Sequence, residues 1–221
     1  MGLLYMMVSA FSLKGKFWNL DDHDKKRLLE SLDRKMDSIS VDLTHFRKYL
    51  SLRGDMDLIG WCSAKSPDHL LAFKVAFESS LMDLGRNAFS SLSIYEDSPY
   101  LKKGQELEDT IPKVPLPYFV AYPMTKENSW YEISYDERKK IMAEHIGVAL
   151  SHPENKNIRS YTTYSFGISD GEFMVIYEVD DLSKWSHVTG KLREVRARKW
   201  IKSETPIITG ISVKNYSSIL Q

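Results

Sequence analysis

A single cysteine, Cys62, stands among 221 residues, so the chain can form no internal disulfide and assemble no thiolate-based zinc or iron–sulfur site. That points to a reducing, cytoplasmic setting and excludes a disulfide-stapled scaffold. Net charge is missing as well, because thirty Lys and Arg offset thirty Asp and Glu. With no overall field to attract them, neither nucleic acid nor an anionic membrane is expected as a partner. No apolar run approaches the roughly 18 residues of a membrane span, so none is expected. The apolar stretch from Met1 to Phe11 lacks a cationic leader, and its alternation from Tyr5 to Leu13 suits a strand better than a secretion signal. Paired metal ligands are absent too. No His-x-x-x-His or Glu-x-x-His spacing gathers two of them on one helix face.

What is present is a globular balance of 43% apolar and 27% charged residues, enough to bury a core. The two halves of the chain also line up on each other. Asp24-Lys-Lys-Arg-Leu-Leu29 lies over Glu137-Arg-Lys-Lys-Ile-Met142 at an offset of 113, and Trp18 lies over Trp130 at 112. Gly54 and Asp57 fall on Gly167 and Asp170, while Asp68, Leu70 and Phe73 fall on Asp180, Leu182 and Trp185. A near-constant offset across several elements indicates a duplication.

Each half predicts the order strand, helix, strand, strand, helix, strand. In the second half, a short strand at 118–124 follows a Pro-rich link, and Ser134 with Glu137 reads as a capping box. A hairpin is expected over 158–167 and 173–179, turning at Ser169-Asp170-Gly171, then a helix from Asp180 to about Lys199 and a strand over 206–213. The first half predicts a strand at 5–13, a helix over 21–39, a hairpin near Arg53-Gly54, a helix from Ser66 and a strand at 89–95. The fold class is therefore α+β: two fused ferredoxin-like βαββαβ halves whose antiparallel sheets close a barrel within one chain. Residues 4–97 form the first half, 98–117 a connector and 118–216 the second half.

Function in a duplicated fold should lie where the copies differ in polarity. On the apolar stripe of the first helix stands Leu32, and His145 takes its place in the second half. An imidazole buried without a partner costs on the order of 1–3 kcal/mol, so either a neighbour satisfies it or a ligand does. A lone histidine suits a metal already held by a macrocycle, which needs only an axial ligand. The other histidines, at 23, 45, 69, 152 and 187, lie at helix starts, in a loop, before a strand or on the second helix. Along the strand opening the second half, Tyr122, Met124 and Lys126 share one face by alternation. A phenol, a thioether and an ammonium side by side suit a flat, oxidisable, anionic ligand.

At these residues the sequence resembles the chlorite dismutase family, and within it the coproheme decarboxylase branch. The pieces are Tyr122-Pro-Met-Thr-Lys126, Asn128-x-Trp130-Tyr131, the Asp-Glu-Arg-Lys-Lys run leading to Glu144-His145, Ser165-x-Gly-x-x-Asp170 and Glu194-Val-x-Ala-Arg198. The resemblance implies His145 as proximal ligand of the iron of haem b or iron-coproporphyrin III, and assembly as a homopentamer. It implies Tyr122 as the oxidisable residue beside a propionate, with Lys126 next to the same group. The implied activity is that of an oxidoreductase removing propionate carboxyls with peroxide. Departures from the family pattern also stand out. Its distal arginine or glutamine corresponds to Ser160 here, with Arg159 expected on the opposite face, so chlorite dismutation is not expected. Leu150 and Arg196 replace an arginine and a serine, and Ala197 takes the place of a carboxylate supporting the proximal histidine. Two alternatives stay open: a haem-binding carrier or sensor without turnover, and a cofactor-free barrel.

Overall fold

A computed structural model describes residues 2–96 and 106–221, so residues 97–105, part of the expected connector, lie outside the described residues. The first half runs β1 (Leu3–Leu13), a single-turn α1 (Gly15–Trp18), α2 (Asp22–Ile39), β2 (His45–Ser51), β3 (Leu58–Ala64), α3 (Pro67–Leu81) and β4 (Gly85–Glu96). The second runs β5 (Tyr118–Lys126), a single-turn α4 (Ser129–Glu132), α5 (Tyr135–Ser151), β6 (Ile158–Tyr164), β7 (Phe173–Val179), α6 (Leu182–Lys191), a short β8 (Ile201–Ser203) and β9 (Ile208–Val213). The long helices start where capping chemistry places them. Asp21 accepts from the Asp24 N–H, Ser66 from Asp68 ahead of Pro67, Ser134 from Glu137, and Asp181 from Ser183 and Lys184.

Strand order is β4-β1-β3-β2 in the first half and β6-β7-β5-β9 in the second, antiparallel throughout. This is the ferredoxin-like order twice over. Two seams join the halves, with Lys48–Ser51 of β2 paired to Gly210–Val213 of β9 and Ile94 of β4 paired to Tyr164 of β6. The eight strands thus close on themselves and leave no free edge on the ring. Strand alternation divides the side chains between two environments. Met6, Val8, Ala10, Tyr49, Ile59 and Trp61 from the first half meet Phe119, Ala121, Tyr161, Met174 and Ile176 from the second inside the barrel. The alternate residues face outward, toward the helices.

Glu178, fully buried, marks one end of the interior. It pairs with Arg47 and with Arg159 (3.2 Å), and accepts from the hydroxyls of Tyr49 and Tyr161 (3.4 Å each) and from the Leu116 N–H (3.3 Å). The donors come from both halves and from the segment between them. This one carboxylate therefore ties the duplicated units together.

Two sequence expectations need correction. The second helix of the second half ends at Lys191 rather than near Lys199, and a 3-10 turn spans Arg196–Trp200. Gly190 weakens the last helical turn, and breaking there lets Val195 and Ala197 bury against Trp130 and Ile141. In the β6–β7 hairpin the positive φ falls on Gly167 (+71°), not on the Asp170-Gly171 pair. The reason is a wider loop, in which the Ser165 N–H donates to the Glu172 carbonyl (2.9 Å) and the Ser165 hydroxyl to the Gly171 carbonyl (2.9 Å). No helix among the described residues is long and apolar enough to cross a membrane.

Candidate functional site

The layer between sheet and helices is built differently in the two halves. In the first it is solid: Phe11, Leu29, Leu32, Met36, Phe73 and Phe77 fill it, and the chain's last residues add Tyr216, whose hydroxyl donates to the Ile59 carbonyl (2.9 Å). In the second, the clustered apolar core is smaller, built on Trp130, Ile141, Val195 and Ala197. The space left over is an open cavity of about 730 Å³, including the solvent space at its mouth. β6 shows why the cavity is open. Its outward residues Ser160, Thr162 and Tyr164 are exposed, whereas Phe46 and Leu50, on the outward face of the corresponding strand β2, pack against the apolar layer.

Tyr122, Met124, Lys126 and His145 all line this cavity. The alternation along β5 thus delivers its three side chains to one place, and α5 points the imidazole at them. Leu32, the counterpart of His145, is completely buried in apolar contact. Ser160 is not among the lining residues. In register it stands opposite Tyr177 of β7, which does line the cavity, as does Thr162 further along the same face of β6. Arg159 points to the opposite face of β6 and pairs with Glu178 inside the barrel. Arg196 turns outward to Glu144 (2.5 Å) and Glu137 (3.1 Å), clasping α5 to the following turn. Leu150 is exposed, away from the cavity lining, and Ala197 contributes a methyl wall.

His145 makes no hydrogen bond among the described residues. Burial, and then the charge of Lys126, hold its imidazole below the ordinary value of 6.5, with Glu204 opposing. It is therefore neutral at pH 7, the form that binds a metal. Lys126 is itself buried, at 5% exposure. Its ammonium lies 4.6 Å from the centre of the Trp130 ring and has no carboxylate within ion-pair distance among the described residues. Desolvation pushes it down to about 8, against the pull of Glu204 and Glu172. A buried cation without a counter-ion is costly, and an anionic ligand group would relieve it. Tyr122 is raised well above the usual phenol value, first by burial and then by its neighbour Tyr177, so it keeps its proton.

Sequence reasoning missed part of the lining. Glu204 accepts from Arg193 (2.7 Å) and from Arg198, and all three face the cavity. Tyr177 and Trp185 lie beside Tyr122 in the same wall. Arg198 fell inside a noted motif without a role, and nothing local distinguishes Tyr177 from a core tyrosine.

No cluster of three or more His, Cys, Asp or Glu side chains among the described residues is arranged to hold a bare metal ion. A metal at His145 must therefore bring its remaining ligands with it. Apolar walls from Met142, Val175, Leu192 and Ile201, one free imidazole and one unpaired cation fit a flat, carboxylate-bearing macrocycle.

Comparison with known proteins agrees with this fold. The coproheme decarboxylase of Mycolicibacterium smegmatis is 24% identical over 96% of this chain and 91% of its own length. The crystal structure of a protein provisionally described as a chlorite dismutase superposes with a TM-score of 0.91 at 44% identity, covering 100% of this chain and 98% of that one. A variant chlorite dismutase from Candidatus Nitrospira defluvii gives a TM-score of 0.84 at 18% identity, covering 98% of this chain and 94% of that one, a likeness of fold. The family model described as chlorite dismutase matches residues 23–213. The chain therefore belongs to the chlorite dismutase family.

Proposed function

We propose that the cavity binds an iron porphyrin through His145, and that the protein acts on iron-coproporphyrin as a peroxide-dependent decarboxylase yielding haem b. The observation that carries this reading is the pairing of a free neutral imidazole with a buried, unpaired Lys126 ammonium across a cavity that the other half fills. His145 holds the iron, Lys126 receives a propionate carboxylate, and Met124 contributes apolar contact. The bound iron, with peroxide, supplies the oxidising power. In each of two decarboxylations one propionate side chain becomes a vinyl group as carbon dioxide, a proton and two electrons leave, and peroxide takes up the electrons to form water. Tyr122, placed beside Lys126 on the same strand face, would lose one electron to that oxidant and its phenolic proton to water in the cavity, and the resulting tyrosyl would take a hydrogen atom from the propionate side chain. Ser160 stands beside this wall, opposite Tyr177 in register. With Ala197 where relatives place a carboxylate, the bond from His145 to iron lacks one support to imidazole basicity.

The reading does not extend to chlorite, because the arginine of β6 is committed to Glu178 in the barrel interior. Binding without turnover, as in a carrier or sensor, is the second reading; it is favoured by Ser160 and Thr162 offering only hydroxyls on the β6 side. Kinship also supports a homopentamer and the division at 4–97, 98–117 and 118–216, and the single buried cysteine suits the cytoplasm. The test is to add peroxide to the protein loaded with iron-coproporphyrin III and follow the porphyrin by mass spectrometry. Stepwise loss of carboxyl groups is expected, and Tyr122→Phe should abolish it while still binding the porphyrin. Unchanged mass with the wild-type protein would reject the enzyme and leave the carrier.

A further inference from the structure

Lys126 stands where β5 parts from β7. The ladder between these strands ends at Met124 and Phe173, and Thr125 and Lys126 pair instead with β8. At this parting the Lys126 N–H donates to the carboxylate of Glu172, in the β6–β7 loop (2.7 Å), and the Glu172 N–H donates back to the Met124 carbonyl (3.0 Å). Lys126 is 5% exposed, so losing that acceptor would leave a buried N–H unpaired. Gly171 lets the loop come this close, since a Cβ there would stand 3.0 Å from the Cβ of Pro123. The same Glu172 oxygen accepts from the Tyr131 hydroxyl (2.7 Å). Tyr131 lies on α4 next to Trp130, whose ring faces the Lys126 ammonium at 4.6 Å.

We propose that Glu172 is a positioning residue for the anion-receiving lysine: one carboxylate oxygen holds the Lys126 backbone and, through Tyr131, the turn that carries Trp130. The ammonium is thereby kept against the ring and facing the cavity. This rests on the role given to Lys126 above. A buried ammonium has reason to leave, because desolvation disfavours it and its flexible four-carbon stem gives it ways out to solvent. The face of Trp130 offsets only part of that cost. Holding the N–H fixes where the side chain starts, and holding α4 fixes the ring on which it rests. Both bonds need an acceptor oxygen rather than a charge, so an amide oxygen at the same place can make them.

The test starts from the porphyrin-free protein with carbon-13 at the lysine Cε atoms. The Lys126 methylene beside the Trp130 ring should give an upfield-shifted NMR signal, identified by its loss in Lys126→Met. Glu172→Ala should return that signal to the ordinary lysine position and weaken binding of iron-coproporphyrin III by at least about tenfold, the worth of one hydrogen bond to a charged group. Glu172→Gln, which keeps the acceptor oxygen without the charge, should keep the upfield signal and stay within about threefold in affinity. Its Lys126 amide proton should nonetheless move upfield, because a neutral acceptor replaces a charged one; this measurement decides the case should Glu172→Ala fail to fold. The proposal would be overturned by a wild type without the upfield methylene signal, by a Glu172→Ala protein that keeps it, or by a Glu172→Gln protein that loses it or leaves the Lys126 amide unmoved. Loss of the signal in Glu172→Ala with unchanged affinity would support the positioning role and remove Lys126 as the carboxylate receiver. A wild type that binds no porphyrin would overturn the proposed function, and the NMR comparison would still decide the role of Glu172.

Discussion

Lys126→Met should make the ligand-free protein more stable. Lys126 is held at about 8 against an ordinary 10.5; at about 1.4 kcal/mol per unit, keeping it charged at pH 7 costs the fold roughly 3 kcal/mol. The contact with the Trp130 ring returns about 0.5–1 kcal/mol. Methionine keeps the length and removes the charge, so a net gain of about 2–3 kcal/mol is expected, or about 5–10 °C in Tm for a chain of this size. The pH dependence has a definite sign. Between about 8 and 10.5 the unfolded chain binds a proton that the folded protein does not, so wild-type stability rises with pH across that window. The rise should be missing in Lys126→Met. Urea unfolding of both proteins at pH 7 and pH 9.5 measures it, with affinity for iron-coproporphyrin III read in parallel and expected to fall in the variant. A variant equally or less stable at pH 7, with the same pH slope as wild type, would show that Lys126 is not a buried charge awaiting an anion.

Glu178→Ala strands the Arg47 and Arg159 guanidinium groups in the barrel, and a loss of about 3–5 kcal/mol is expected in denaturant unfolding; a loss below 1 kcal/mol would deny Glu178 its role in joining the halves. His45, buried against Trp61 and held well below 6.5 first by desolvation and then by Arg47, should make the fold acid-sensitive. Its stability contribution is intact above about 6.5 and declines below it, by up to about 1.4 kcal/mol per pH unit, because the unfolded chain takes up the proton first. Urea midpoints between pH 7.5 and 5 should fall less steeply for His45→Gln than for wild type.

The duplication and the order of strands and helices were legible in the sequence because they rest on local signals: the period of apolar residues, capping residues and turn residues. The same locality exposed the exchange of Leu32 for His145 and the shared face of Tyr122, Met124 and Lys126, since helical and strand periods carry over to the folded chain. The remainder of the site depends on contacts between distant segments. Glu204 reaches the cavity from the stretch before β9, and Arg193 follows the end of α6, which came earlier than the pattern suggested because Val195 and Ala197 gain burial elsewhere. Glu178 reads as an ordinary charge in an alternating strand until the barrel closes and brings Arg47 from the other half. Ser160 reads from the sequence as the counterpart of the distal residue, whereas the register of β6 against β7 pairs it with Tyr177 and leaves it off the cavity lining.

The most direct test of the central claim is a titration of the purified protein with ferric coproporphyrin III, following the Soret band of the wild type and of His145→Ala. Expected is a saturable shift to a histidine-ligated spectrum in the wild type, and in His145→Ala a complex lacking that signature which added imidazole restores. A wild-type spectrum that does not change, or one that His145→Ala reproduces, would contradict it.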